Sequence, residues 1–325
     1  MKAICVDEQT REISWSEVKD PTAGGGEVVI DVHASAVNRA DLLQRAGNYP
    51  PPPGAPPYMG LEAAGTISEV GPGVDRWTVG DRVCTLLSGG GYAERVSAPA
   101  DLLIHVPEEW DLEKAAAVPE VFYTAFLNLF IEGELEEGET VLIHGGASGV
   151  GTAGIQMAKQ AGCQVIVTAG RDDKVAFCRE LGADHAINYK EQAFAEVVDE
   201  VSPDGVDVIL DIAAAEYLEP NMSLLKTRGR LVIIALLTGV KAEINLAALM
   251  RGRQRVIGSV LRSRSLEEKI DVHDRFEERF WPDLVSGSIR PIIYKTLSIE
   301  ETAEAQAILG RNENIGKVVL KVRRE

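Results

Sequence analysis

The sequence predicts an α/β chain in two parts, a β-rich first third and a parallel sheet alternating with helices. Three observations predict it. The chain is 325 residues long, which is room for about two domains. Its first 120 residues are cut by Gly and Pro clusters into short β-branched runs. Beyond about residue 120, short apolar strands alternate with helix-length segments, the rhythm of right-handed βαβ units. Apolar residues make up 45% and charged residues 26%, an ordinary globular composition. A chain of this length buries about three quarters of its unfolded surface, so size alone demands no disulfide or metal.

The elements follow in order. Residues 27–32, 65–70 and 81–86 read as strands, 38–46 as a short helix, and Pro50-Pro51-Pro52-Pro53-Gly54 as a rigid loop barred from any central strand. A barrel or a sandwich fits this stretch. Strands are then expected at 140–144, 164–169, 184–187, 206–211 and 230–236, with helices at 149–161, 171–181 and 194–201. A charged helix over 266–285 and a strand over 317–322 close the chain, and that strand needs the first domain's sheet to join. The domains are placed at 1–120, 121–260 and 261–325, the last returning to the first.

Lys and Arg total 33 against 50 Asp and Glu, a net charge of −17. A field of that sign repels nucleic-acid phosphates and anionic membranes, so neither is expected as a partner. Residues 1–10 lack a signal-peptide core, and the longest apolar run, 231–237, is short of the roughly 20 residues of a membrane helix. A cytoplasmic protein is expected. Four scattered cysteines and five histidines show no metal-ligand spacing, so no metal is expected.

The strongest local signal is Val141-Leu142-Ile143-His144-Gly145-Gly146-Ala147-Ser148-Gly149-Val150-Gly151, a strand running through a glycine turn into a helix. Such a turn lets a pyrophosphate approach the helix N-terminus, where unpaired N–H groups favour an anion. Gly146 and Gly151 hold the first and third positions of the dinucleotide fingerprint; Ser148, with Gly149 beside it, stands at the second. Ser148 suits a phosphate contact better than a nucleophile, because the sequence sets no base beside it. An NAD site expects an acid at the tip of the second strand. That strand instead ends Ala169-Gly170-Arg171, with Lys174 one turn on. Two cations at a helix N-terminus suit the 2′-phosphate of NADPH; the alternative is two solvated charges neutralised by Asp172 and Asp173.

Further strings occur in order: Asn38-Arg39-Ala40-Asp41-Leu42-Leu43-Gln44-Arg45, Gly60-Leu61-Glu62-Ala63-Ala64-Gly65, Gly80-Asp81-Arg82-Val83, Gly89-Gly90-Gly91-Tyr92-Ala93-Glu94, Leu261-Arg262-Ser263-Arg264 and Asn314-Ile315-Gly316-Lys317. Over essentially its whole length the chain resembles the medium-chain dehydrogenase/reductase family. It is most similar to the zinc-free quinone oxidoreductase branch and its tumour-suppressor-inducible NADPH subgroup.

The resemblance implies a GroES-like β-barrel catalytic domain, a Rossmann domain and an active site between them. Zinc-dependent members carry Cys where Asn38 stands and His where Leu61 stands, so metal-assisted alcohol oxidation is not expected. By resemblance, Gly146, Ala147, Ser148, Gly149, Val150 and Gly151 cradle the pyrophosphate. Gly170, Arg171, Lys174 and Tyr189 surround the 2′-phosphate. Thr124, the backbone near Leu236 and Leu261, and Asn314 hold the nicotinamide end. Asn38, Tyr49 and Tyr123 are candidates for the substrate side, each with a structural alternative: Asn38 as a helix cap, Tyr49 as a loop anchor, Tyr123 as a core residue with a satisfied hydroxyl. Glu62 reads as structural, paired with an Arg. The expected activity is NADPH-dependent reduction of quinones, by hydride or single electrons, with reduction of α,β-unsaturated carbonyls or enoyl thioesters as the alternative enzyme. A non-catalytic NADPH-binding protein is the third reading. A homodimer is expected through the β-branched run at 254–260.

Overall fold

The computed structural model describes residues 1–323. The chain divides into two units, one formed by Met1–Tyr123 with Arg262–Glu325 and the other by Thr124–Leu261. The first unit opens with an antiparallel ribbon of β1 (Lys2–Val6) and β2 (Ile13–Glu17). It continues through β3 (Glu27–Ala36), β4 (Glu62–Val70), β5 (Arg82–Leu86), β6 (Arg95–Pro99) and β7 (Leu103–His105). β3 is the backbone of this sheet: β4 pairs along one edge, while β6 takes Glu27–Asp31 of the other. Its alternating valines and isoleucines, Val28, Ile30 and Val32, pack with Ile67, Val83 and Leu103 into one apolar core. Trp77 closes that core with its indole N–H donated to the Ala100 carbonyl at 2.9 Å, so its polar edge is satisfied.

The second unit is one parallel sheet of β8 (Thr140–His144), β9 (Gln164–Ala169), β10 (His185–Asn188), β11 (Val206–Asp211), β12 (Leu225–Ile233) and β13 (Arg255–Gly258). The spatial order is β10-β9-β8-β11-β12-β13, the doubly wound Rossmann order, with its reversal between β8 and β11. β8 is buried at all five residues, as a strand covered by helices on both faces must be. After Leu261 the chain re-enters the first unit, where β14 (Ile293–Ser298) and β15 (Lys317–Lys321) run parallel. β15 then pairs antiparallel with Ala34–Ala36 of β3, completing a sheet ordered β14-β15-β3-β4-β5-β7.

Three departures from the sequence reading have physical causes. β12 begins at Leu225 and ends at Ile233, earlier than the 230–236 expected, because Arg228 at φ 67° and Gly229 disguise its first half as a turn. The helices Leu112–Ala116 and Pro119–Phe126 lie where the sequence pattern predicts no element. They belong to a helical run, Leu112–Glu132, that is apolar enough to cross a membrane by composition yet lies mostly buried in the protein. A helix with only a narrow polar edge shows little of the polar stripe that reveals a helical period. β13 and β14 are short and largely exposed, so no alternation marks them.

Candidate functional site

In the Rossmann unit the glycine turn is a backbone device. Gly145 sits at φ 73°, and a side chain on Gly151 would put its Cβ 2.3 Å from the Gly145 carbonyl oxygen. The turn closes with the Gly146 N–H on Thr168 O and the Ser148 N–H on Gly145 O, both 2.9 Å. Ser148 caps the helix Gly149–Gln160, its Oγ accepting the Gly151 N–H at 3.0 Å. Ser148, Gly149 and Val150 are half-buried while Gly146, Ala147 and Gly151 are buried, so the first helical turn faces outward at the second position of the fingerprint. An anion fits there against the N–H groups that a helix start leaves unpaired.

A buried relay braces the turn from below. The His144 ring meets Thr168 Oγ1 through Nδ1 at 3.0 Å and Asn221 Oδ1 through Nε2 at 2.8 Å. Asn221 donates Nδ2–H to Asp211 at 3.2 Å, which turns its Oδ1 toward the ring and places the imidazole proton on Nε2. Burial holds the His144 pKa down, so the ring is neutral. Asp211 accepts the N–H groups of Ala213 and Ala214 and so fixes the loop in which Ala214 takes φ 70°.

At the tip of β9, Gly170 lies under the Tyr189 hydroxyl, which a Cβ there would approach to 2.8 Å. Gly170, Arg171 and Tyr189 are therefore gathered at one strand end. Arg171 precedes the helix Asp172–Glu180, and its guanidinium makes a two-pronged pair with Asp173 at 2.9 and 2.8 Å. The guanidinium holds the Asp173 carboxyl below its ordinary range. Asp172 is taken up by the Asn188 amide at 2.8 Å, which leaves the acid beside Lys174 partly satisfied. Thr124 is half-buried and its carbonyl accepts the Asn128 amide at 2.7 Å; Leu236 is 54% exposed and Leu261 is buried.

The first unit carries a buried polar cluster. Asn38 donates Nδ2–H to Glu62 Oε1 at 2.8 Å and to Ala36 O at 3.3 Å, and its Oδ1 accepts from Lys317 Nζ at 2.6 Å. Lys317 also pairs with Glu62 Oε1 at 2.7 Å, and Glu62 Oε2 accepts the Glu120 N–H at 2.9 Å. Glu62 is thus structural as expected, but its partner is a lysine and not an arginine. Asn38 is the N-cap of the helix Arg39–Arg45, in a capping box with Asp41, whose carboxylate takes the Asn38 N–H at 2.8 Å, while the Asn38 amide is also held within the cluster. Asp41 further accepts the Gly60 N–H at 3.0 Å and the Tyr92 hydroxyl at 2.9 Å. Burial pushes the Asp41 carboxyl up against the pull of those donors.

Tyr49 and Tyr123 part company. Tyr49 is half-buried, with the Arg262 guanidinium 5.3 Å from its ring centre. Arg262 also donates to Ser88 O at 2.9 Å and Gln44 Oε1 at 2.7 Å, and Lys269 donates to Ser88 Oγ at 2.8 Å, so two cations pin the loops around Tyr49. Tyr123 is fully buried, with its hydroxyl 2.8 Å from His273 Nδ1 and its ring edge-on to Phe276. The substrate-side expectation for Tyr123 is corrected accordingly: it is a core residue with a satisfied hydroxyl. Asn314 spends its Nδ2–H on Gly316 O at 2.6 Å. The sequence reading missed Glu120, Arg262 and Lys269 as members of this region and Lys317 as its cation, although Lys317 and Arg262 both lie in strings that carried the resemblance.

Comparison with known proteins agrees with this architecture. Residues 24–108 match the family described as alcohol dehydrogenase GroES-like domain, and residues 149–277 match the one described as zinc-binding dehydrogenase. A 2-haloacrylate reductase of Burkholderia sp is 33% identical over 94% of this chain and 94% of its own length. A quinone oxidoreductase of Rattus norvegicus is 32% identical over 94% of this chain and 92% of its own. Among solved structures, a mycobacterial protein complexed with NADPH matches at a TM-score of 0.88 and 28% identity, over 99% of this chain and 100% of that one. The metal in one family description has no donor set here. Among the described residues no group of three or more His, Cys, Asp or Glu is arranged to hold an ion, the Asn38 amide is committed, and Leu61 is a buried hydrocarbon. The residues present do not fit zinc.

Proposed function

This chain belongs to the medium-chain dehydrogenase/reductase family, in its quinone oxidoreductase branch, and from that premise we propose that it reduces quinones with NADPH and without a metal. The observation that carries the cofactor reading is the tip of β9, where Gly170, Arg171 and Tyr189 meet, where the strand itself ends in Ala169 and not in an acid, and where Asp172 and Asp173 are taken up by Asn188 and Arg171. NADPH supplies a hydride from its nicotinamide when bound. The chain's own residues bind and orient: the turn Gly146–Gly151 with the pyrophosphate, Arg171, Lys174 and Tyr189 with the 2′-phosphate, and Thr124, the backbone at Leu236 and Leu261, and Asn314 with the nicotinamide end. Tyr49, steadied by Arg262, is the side chain on the substrate side. Alignment of the two reactants does the work that a Lewis acid does elsewhere, and such alignment is worth roughly 7–11 kcal/mol in favourable cases.

A second reading, reduction of an α,β-unsaturated carbonyl, is favoured by the relative named 2-haloacrylate reductase. Anaerobic oxidation of NADPH and NADH against ortho-quinones, para-quinones, 2-alkenals and crotonyl-CoA separates the two. Rapid turnover of quinones with NADPH supports the first reading; turnover confined to the alkenal or thioester moves the assignment to the second. We also propose a homodimer through β13, an edge strand of its sheet, where Val256 and Val260 are exposed, as are Leu246 and Met250 of the helix before it. A monomer in sedimentation at micromolar concentration overturns it.

A further inference from the structure

The buried cluster of the first unit holds three carboxyls, Asp41, Glu62 and Glu120, against one enclosed ammonium, that of Lys317. The ammonium is hydrogen-bonded to Glu62 of the three, and burial pushes the carboxyls of Asp41 and Glu120 up. Asp41 accepts three donors, which pull against the upward push of burial, and Glu62 accepts another three. Among the described residues no hydrogen bond reaches the Glu120 carboxyl. Arg262 and Lys269 lie within electrostatic reach of it, but their donors are directed to Ser88 and Gln44. Asp41 and Glu62 are sealed, whereas Glu120, its carboxyl set deep among the other acids, is the residue of the three that retains partial exposure, within electrostatic reach of Tyr49. It is the one acid of the cluster that a bound molecule can touch.

We propose that Glu120 is the acid that protonates the reduced acceptor. The assignment rests on the reduction reading above and adds to it the source of the proton. Reduction of a quinone or an enone by hydride leaves an oxyanion, the hydroquinone monoanion or the enolate. The O–H bond of Glu120 breaks and its proton forms an O–H bond on the former or a C–H bond at the α carbon of the latter. The bonding pair stays on the Glu120 carboxylate, which regains a proton from water before the next turnover. Burial, then repulsion from Glu62, pushes the Glu120 carboxyl from its ordinary 4.5 up to about 8, so it is protonated at neutral pH and able to release its proton near the working range. The charged and titratable groups facing it are Asp41, Glu62, Lys317, Tyr49, Arg262 and Lys269.

Glu120→Gln keeps the shape and removes the acid, and Glu120→Asp keeps an acid. With an ortho-quinone and a 2-alkenal as acceptors, wild-type kcat is expected to fall as pH rises through about 8. Glu120→Gln is expected to lose about a hundredfold in kcat, in line with general-acid contributions of about 10²–10⁴, with a flat profile and NADPH affinity within about twofold. Glu120→Asp is expected to recover a descending limb. Folding stability gives an independent readout. The folded chain holds the Glu120 proton up to about 8 and the unfolded chain releases it near 4.5, so the folded form binds more protons in that window. Wild-type stability should therefore fall as pH rises between those values, and urea denaturation of Glu120→Gln should lack that component. A Glu120→Gln protein that keeps wild-type turnover and the limb near 8 overturns the acid assignment and leaves the reduction reading standing. A wild type inert toward both acceptors overturns the reduction reading and the acid with it.

Discussion

The glycine turn of the Rossmann unit and the carboxyl cluster of the first unit both manage charge, with opposite materials. The turn uses backbone: Gly151 lets the Gly145 carbonyl approach where a Cβ would collide, Gly145 and Gly146 leave room for the side chains of Ile212 and Val167, and an anion would be met by dipoles that belong to the chain itself. The cluster uses side chains drawn from Asn38, Asp41, Glu62, Glu120 and Lys317, each useless without the others. A backbone site is insensitive to pH and intolerant of added atoms. A side-chain site tolerates changes of shape but responds sharply to the loss of one charge.

The contrast can be broken most forcefully at Lys317. Lys317→Met strips the ammonium from the sealed Glu62 and is expected to cost about 3–5 kcal/mol in urea denaturation, the range for an abandoned buried partner. Adding Glu62→Gln should return much of it; an equally stable Lys317→Met protein would mean that the pair carries no weight. Arg171→Ala with Lys174→Ala should weaken NADPH by about 2–4 kcal/mol if each charge-assisted contact is worth about 1.5–3 and Asp173 already competes for Arg171. NADH binding should barely change, and equal weakening of both in calorimetric titration removes the phosphate assignment. Gly151→Ala forces a Cβ onto the Gly145 carbonyl and should cost about 1–3 kcal/mol of cofactor affinity through the displaced turn. Its failure to do so would show that the turn yields. The smallest effect is expected from Tyr123→Phe, about 1 kcal/mol of stability from the lost His273 contact and no change in kcat. A large fall in kcat would return Tyr123 to the substrate side.

How far each region could be read in advance follows from the same contrast. β8, its turn and its helix are contiguous, so apolar run, glycines and cap stand side by side in the sequence, and the expected strand bounds of β8, β9 and β11 match the structure. The cluster joins residues 24, 58, 255 and 279 positions apart, separations that no local pattern records. Hence Glu62 was recognised as structural with the wrong partner type, and Glu120, in a helix apolar on all sides but one, drew no notice. Arg171 and Lys174 were readable as cations, but the pairing of Arg171 with Asp173 depends on side-chain geometry at the start of a helix.

The placement of β15 bears on how the protein is made. β15 lies between β3 and β14, and its first residue, Lys317, supplies the ammonium that pairs with Glu62. During synthesis the Rossmann unit is one unbroken stretch and can fold as soon as it clears the ribosome. The first unit waits with an unfilled edge on β3 and an uncompensated carboxylate at Glu62 until about 250 more residues have been added after that glutamate. At roughly 5–20 residues per second that interval is tens of seconds at the slower rate, an exposure set by the speed of translation between the two residues.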